Sequence, residues 1–273
     1  MSEQISRVSH DGWANSGDIQ AVSRAAQILS LFSQQVPVLT VAAAAAALGL
    51  NRTTVHRYFT SLVSAQLLSR DEETGGYVPG DLAVQLGCFS LGRRTVLELA
   101  ERHLRELSAA SRMTAVVSLW GAAGPVVAKV HEDRSNAVLI TVPVGTQLNL
   151  ETAQSVLFLA FMPDQLAMHA LLRMLPPAAQ ETISARVSQA REQVAAAASF
   201  EDGISSVAAP VFSPTGICAT MALVHTSAML PASIDSAQAL RVRAAARELT
   251  EEMGGPSMPG AGAGPYRTRW PEP

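Results

Sequence analysis

The chain has 273 residues, 48% of them hydrophobic and 16% charged, which provides for one large domain or two small ones with real cores and excludes a disordered chain. Its 20 basic residues face 23 acidic ones, and Lys129 is the single lysine, so a strongly basic nucleic-acid coating protein is excluded. Two cysteines, Cys88 and Cys218, exclude a disulfide scaffold and read as reduced structural thiols.

Residues 1–18 are polar and aperiodic, without the apolar run of a signal peptide, and read as a loose tail. The longest apolar stretch, residues 41–50, is about half a membrane span, so the expected setting is cytoplasmic, without membrane contact. Residues 19–80 form the first expected domain. Val22, Ala25, Ala26, Leu29 and Phe32 recur on one side of residues 19–32, which predicts an amphipathic helix stopped before Pro37. Thr40 is a good N-cap for a second helix over residues 41–48, and Gly49 supplies its C-terminal turn. Asn51 or Thr53 caps a third, in which Val55, Tyr58, Phe59, Leu62 and Val63 recur at helical spacing. Small Ala45, then Gly49 and Val55, have the spacing of a helix-turn-helix. The polar face of the third helix carries Arg52, Thr53, Thr54, His56, Arg57, Thr60 and Ser61, with no acid before Asp71. An ordinary helical hairpin would mix signs there. A face of donors suits phosphates and base edges. Residues 67–70 and 77–78 are strand candidates joined by an acidic, Gly-rich tip, a two-stranded wing that would touch DNA through Arg70 or backbone N–H groups rather than through its tip.

Residues 81–112 read as a linker and connector helix, with the helix over 95–111 supported by Glu98–Arg102 and Glu101–Arg105 pairs. Residues 113–253 form the second expected domain, of α+β class. Strands are predicted at 114–120, 125–130, 138–142, 203–212 and 217–225, and helices at 152–161, 165–174, 183–198 and 235–253. Residues 254–273, rich in Gly and Pro, read as a second flexible tail.

These segments, over about residues 19–253, resemble the IclR family of bacterial transcriptional regulators. The match rests on Gly49-Leu50-Asn51-Arg52-Thr53-Thr54-Val55-His56-Arg57 as recognition-helix motif and on Tyr77 after the Thr74-Gly75 turn. It extends to Val144-Gly145 with residues 152–160, and to Gly203-Ile204-Ser205-Ser206-Val207-Ala208-Ala209-Pro210-Val211 followed by Gly216. The resemblance implies a winged helix-turn-helix joined by a helix to a GAF-like antiparallel sheet with flanking helices. It also implies homodimers or homotetramers on a double-stranded DNA operator, and a small-molecule effector that modulates operator binding. Carried over position by position, the DNA contacts fall on Arg52, Thr53, Thr54, His56 and Arg57. The effector contacts fall on Ala153, Gln154, Ser155, Ile204, Ser206, Leu223 and His225, and Trp120 is added as a wall. The two strand pairs are each i,i+2, so each pair points to one face of a sheet. Ser206, Gln154 and His225 would hydrogen-bond a small organic acid or an aromatic effector; in the alternative, His225 satisfies a strand end and Trp120 fills core. The chain departs from the family pattern at Ser155 (usually Gly), Val156 (usually Lys or Arg), His225 (often Ser), Gly76 (usually basic) and Tyr58 (usually Leu).

Two other classes compete. An enzyme is disfavoured because the chain lacks a nucleophile elbow, a phosphate loop and His-Glu-x-x-His or Cys-x-x-Cys spacing, so no catalytic residue, metal or cofactor is expected. His131-Glu132-Asp133 reads as a solvated turn at a strand end. A protein-interaction module with a winged helix that does not bind DNA is favoured by charge, since residues 19–80 hold four Arg against three acids, a balance of +1.

Overall fold

The computed structural model describes residues 19–256 except 136, 137, 174 and 201, and the chain divides into two units at Arg93 and Arg94. The tail expected at residues 1–18 lies outside the described residues, as does the one at 254–273 beyond residue 256. The first unit runs α1 (Gln20–Leu29), α2 (Val41–Leu48), α3 (Arg52–Ser64), the hairpin β1 (Leu68–Arg70) and β2 (Tyr77–Pro79), and α4 (Asp81–Gly92). Local chemistry sets the α2–α3 corner. The Thr40 hydroxyl accepts from the Ala43 N–H at 3.1 Å, and Asn51 Oδ1 accepts from the Thr53 N–H at 2.8 Å. Gly49 between them takes φ +64°, a left-handed turn that a side chain would strain. Ala44 and Ala45 are buried at the helix crossing with Val55, Phe59 and Leu62 of α3, where larger side chains would hold the backbones apart.

Two expectations for this unit change. The first helix ends at Leu29, residues 30–31 being a turn; Ala25, Leu29 and Phe32 pack against the core as expected, Ile28 is buried with them, and Val22 stays exposed. The linker part of residues 81–112 is itself a helix, α4, none of whose residues is buried.

The second unit is a five-stranded antiparallel sheet, order β4-β3-β7-β6-β5, made of β3 (Thr114–Gly121), β4 (Gly124–His131), β5 (Ala196–Ser199), β6 (Ile204–Ser213) and β7 (Gly216–Thr226). Helices α5 (Thr95–Ser111) and α9 (Ala237–Glu252) cover one face, while α6 (Ala153–Phe161) and α8 (Pro177–Gln193) cover the other; α7 (Gln165–Arg173) packs on α8. Strands buried on both faces read as near-continuous apolar runs, and alternate residues divide between two cores. Val207, Ala209, Met221 and Leu223 enter the α5/α9 core, and Val116, Ala208, Ala222 and Val224 enter the α6/α8 core.

Here too the structure corrects the sequence. Residues 138–142 form no strand; the edge of β4 is instead met by residues 145–148, with Gly145 N–H on Val127 O at 2.7 Å and Leu148 N–H on Pro125 O at 2.8 Å. The helix expected at 183–198 starts earlier, at Pro177 in its first turn, and ends at Gln193 with Val194 in a left-handed cap at φ 52°. Ala196 to Ser199 then pair with β6, so tertiary pairing overrides the helix propensity of an alanine run. On α5 the charged side chains bond across elements as well as along the helix, where Arg102 lies 3.9 Å from Glu106. Glu101 meets Lys129 of β4 at 2.7 Å, a hydrogen bond that holds its carboxyl below the usual range, and Arg102 meets Glu252 of α9. Among the described residues no helix is long and apolar enough to cross a membrane.

A side-chain carbon at Gly80 would lie 2.4 Å from the backbone oxygen of Gln66, whereas one at Gly87 in α4 meets nothing within 4 Å. Gly80→Ala is therefore expected to destabilise the first unit by about 1–3 kcal/mol. Gly87→Ala should leave it unchanged or stabilise it by up to about 1 kcal/mol. Urea unfolding of the two variants checks both signs.

Candidate functional sites

In the first unit, burial of Val55, Phe59 and Leu62 leaves the opposite side of α3 in solvent. Arg52, Thr53, Thr54, His56 and Arg57 are all exposed on it, the first four beginning in the opening turns, where the helix dipole favours anions. Thr60 and Ser61 contribute less than their position promised. Their hydroxyls donate back to the carbonyls of His56 and Arg57, each at 3.0 Å. Phe59 and Tyr77 meet edge to face at 4.6 Å, fastening α3 to the wing, and Tyr77 exchanges two backbone bonds with Leu39 at 2.8 and 2.9 Å.

The acid at the start of the wing tip has internal work. Asp71 accepts from the backbone N–H and the hydroxyl of Thr74, and the hydroxyl bond holds its carboxyl below the ordinary range. Gly76 is buried, and a side-chain carbon there would lie 2.4 Å from Val38 Cγ1. A basic side chain at this position, as the resemblance suggests, would not fit. Arg70 remains exposed at the end of β1.

In the second unit the eight effector candidates do not converge. Ala153, Gln154 and Ser155 open α6 and are buried; Ile204 and Ser206 lie on the same side of the sheet, and Trp120 packs there with its ring 5.4 Å from that of Phe158. Leu223 is wholly buried in the α5/α9 core on the other side, and His225 follows it by strand alternation. These two are therefore removed from the set. The reason is a one-residue bulge. Around the β6–β7 turn the pairs are Ser213↔Gly216 and Phe212↔Ile217, but the next is Val211↔Ala219, which leaves Cys218 unpaired. Without the bulge Ser206 would face Leu223 and Ile204 would face His225; with it Ser206 pairs with Val224 and Ile204 with Thr226. Val224 and Thr226 are the β7 residues that stand beside Ser206 and Ile204. A continuously apolar strand carries no alternation that would have shown the slip.

The polar groups under α6 are largely committed. Ser155 Oγ donates to Asn149 O at 2.6 Å, and its N–H bonds the Thr152 hydroxyl at 3.2 Å, so the serine found in place of glycine ties the preceding loop to the helix. Thr220 donates to Gln154 Oε1 at 3.0 Å, both side chains being buried. Ser118, directly across from Thr220, is buried with a hydroxyl lacking a partner. On the opposite face His225 Nδ1 lies 3.2 Å from the Thr226 hydroxyl and its Nε2 has no partner. Burial pushes the Cys218 thiol up to about 11, which keeps it protonated and unreactive. Among the described residues no three His, Cys, Asp or Glu side chains gather as a metal site requires. His131 ends β4, and Glu132 and Asp133 follow it half-buried rather than in a solvated turn, with Asp133 accepting from the Ser135 N–H at 2.7 Å.

The IclR helix-turn-helix domain model matches residues 21–72. The transcriptional regulator XynR of Escherichia coli is 29% identical over 206 residues, covering 71% of this chain and 81% of that protein. An IclR transcriptional regulator of Silicibacter sp. shares the fold with a TM-score of 0.76 at 24% identity, over 88% of this chain and 98% of its own. An IclR homologue of Microbacterium hydrocarbonoxydans, crystallised in complex with 4-hydroxybenzoate, superposes with a TM-score of 0.63 at 16% identity, over 86% of this chain and 99% of its own.

Thr220→Val is expected to cost about 1–3 kcal/mol, because it strands the buried Gln154 oxygen. Ser118→Ala should be neutral or stabilising, since it removes a hydroxyl that bonds nothing. Denaturant unfolding of the pair tests whether the Gln154–Thr220 bond holds α6 on the sheet.

Proposed function

From the premise that this chain belongs to the IclR family of transcriptional regulators, we propose that α3 reads an operator in the major groove and that a small organic acid or aromatic effector, bound under α6 in the second unit, changes how well it does so. The observation that carries the DNA reading is the exposed face of Arg52, Thr53, Thr54, His56 and Arg57, on a module with no acid between residues 19 and 70. Two arginines offer forked donors to guanine edges or phosphates, and the threonines offer hydroxyls and methyls. A module whose balance is +1 holds DNA weakly alone. Pairing of copies multiplies that affinity without further charge. The α4 helix supports pairing, because Val84, Leu86, Phe89 and Leu91 leave an uncharged apolar surface in water. In this reading the regulator works in the cytoplasm as a homodimer or homotetramer.

The effector reading rests on the α6 face: Ala153, Gln154, Ser155, Ile204, Ser206 and Trp120, joined by Val224 and Thr226 in place of Leu223 and His225. The Microbacterium relative's ligand, a small aromatic acid, supports the chemical class. Coupling would follow if the ligand favours one arrangement of the paired α3 helices over another.

Gel shifts on DNA flanking the chain's own gene test the first half. Arg52→Ala and Arg57→Ala should each weaken binding by about 5- to 150-fold, corresponding to a lost contact of about 1–3 kcal/mol. An unchanged shift in both variants would sink the assignment of α3 and leave the protein-interaction reading. For the second half, 4-hydroxybenzoate should raise the melting temperature, and Gln154→Ala should reduce that rise while His225→Ala leaves it. The reverse pattern would show that the ligand sits on the other face.

A further inference from the structure

Beside α8, on the outer side of the edge strand β5, a cleft of about 540 Å³ is lined by Glu151, Thr182, Ile183, Arg186, Ser199 and Phe200, among others. Its size falls within the range of small-molecule sites. Arg186 borders it and also borders an adjoining recess of about 300 Å³, so the guanidinium stands between the two spaces. We propose that this cleft binds an organic monocarboxylate, with the Arg186 guanidinium as its anchor. The inference does not depend on the effector reading above.

The geometry of the arginine carries the argument. Nη1 donates to the backbone oxygen of Glu151 at 2.6 Å, and Nη2 donates to that of Ala197 at 3.0 Å. Two bonds to neutral carbonyls fix the plane of the fork and leave its other N–H groups for a ligand. Among the described residues no carboxylate comes within ion-pair distance of this half-buried guanidinium, whose hydrogen bonds go to neutral carbonyls. Burial pulls the guanidinium below the usual arginine range, and the charge of Glu151 acts in the opposite direction. A carboxylate accepting two N–H bonds from the fork would bring an opposite charge into direct contact with it.

The rest of the lining narrows the ligand. Ala178, Ala179, Ile183 and Phe200 give an apolar wall for a short aliphatic or aromatic body. Glu151 lies on the rim and would repel a second carboxylate, which favours a monoanion over a dicarboxylate. In the adjoining recess Gln193 Oε1 is buried without a partner, an acceptor for a hydroxyl or amino group carried by a ligand that reaches past the arginine. None of the residues assigned to the α6 face lines either space.

The test is calorimetric titration of the full chain with benzoate, with benzamide as its neutral isostere and phthalate as the dianion. Benzoate should bind saturably, and benzamide and phthalate at least about tenfold more weakly. Arg186→Gln should weaken benzoate by about tenfold or more, and Ala179→Phe, which fills the cleft from its wall without touching the guanidinium, should do the same. Should Arg186→Gln fail to fold, Ala179→Phe decides. The loss caused by Arg186→Gln should be the same in a Gln154→Ala background, because Gln154 lines neither space. Absence of saturable benzoate binding, or affinity indifferent to the folded variants of Arg186 and Ala179, overturns the proposal. Loss confined to Gln154→Ala also overturns it, while supporting the effector site under α6.

Discussion

The pairing of β6 with β7 is the contact on which the second unit depends. These two long strands stand at the middle of the sheet, each covered by helices on both faces, so every side chain along them is committed to one core or the other. Burial on both faces leaves no solvent side to absorb an error of register. The Ser213–Gly216 turn and the unpaired Cys218 set that register, and everything assigned to the α6 face follows from it. Val224 and Thr226 stand beside Ser206 and Ile204 because of it, and Thr220 meets Gln154 for the same reason.

The first unit is organised differently, by local caps around a small core. Thr40, Gly49 and Asn51 each satisfy or turn the backbone within a few residues of themselves, and the core beneath them is built from Ile28, Leu39, Ala44, Val55, Phe59 and Leu68. The division of labour is economical. One side of α3 is spent on that core and on Tyr77, and the other is left polar. The acid at the wing is likewise absorbed into its own turn through Thr74, so the low net charge of the module does not translate into an acidic α3 surface.

Legibility in the sequence follows the range of the forces involved. The helix-turn-helix could be read because its caps and its 3.6-residue apolar spacing are local signals. The connector helix was readable over residues 95–111 for the same reason, and it forms there as α5. Residues 194–199 were not, because Val194-Ala195-Ala196-Ala197-Ala198 suits a helix locally, while Val194 caps α8 and the chain from Ala196 becomes a strand through pairing with β6. The partners of Glu101 and Arg102 on β4 and α9 were hidden in the same way, although Arg102 also meets Glu106 one turn along α5. Of the candidate effector residues, those on α6 were placed by a readable N-cap at Thr152, while Leu223 and His225 were misplaced by a bulge inside an apolar run. The Arg186 cleft left no trace in the sequence, since its lining comes from α8, β5 and three loops.

The bulge at Cys218 has a consequence for how this molecule can change over evolutionary time. Insertions and deletions are ordinarily tolerated where loops meet solvent. Here the bulging of a single residue within a strand sets the inside-outside parity of the eight that follow it, from Ala219 to Thr226. Pairing Cys218 with Val211, in place of the bulge, would turn Leu223 and His225 towards α6 and send Val224 and Thr226 to α5 and α9, whereas deleting Cys218 would leave every later pair as it is. The lining of the α6 face is free to drift by substitution, but its frame is locked.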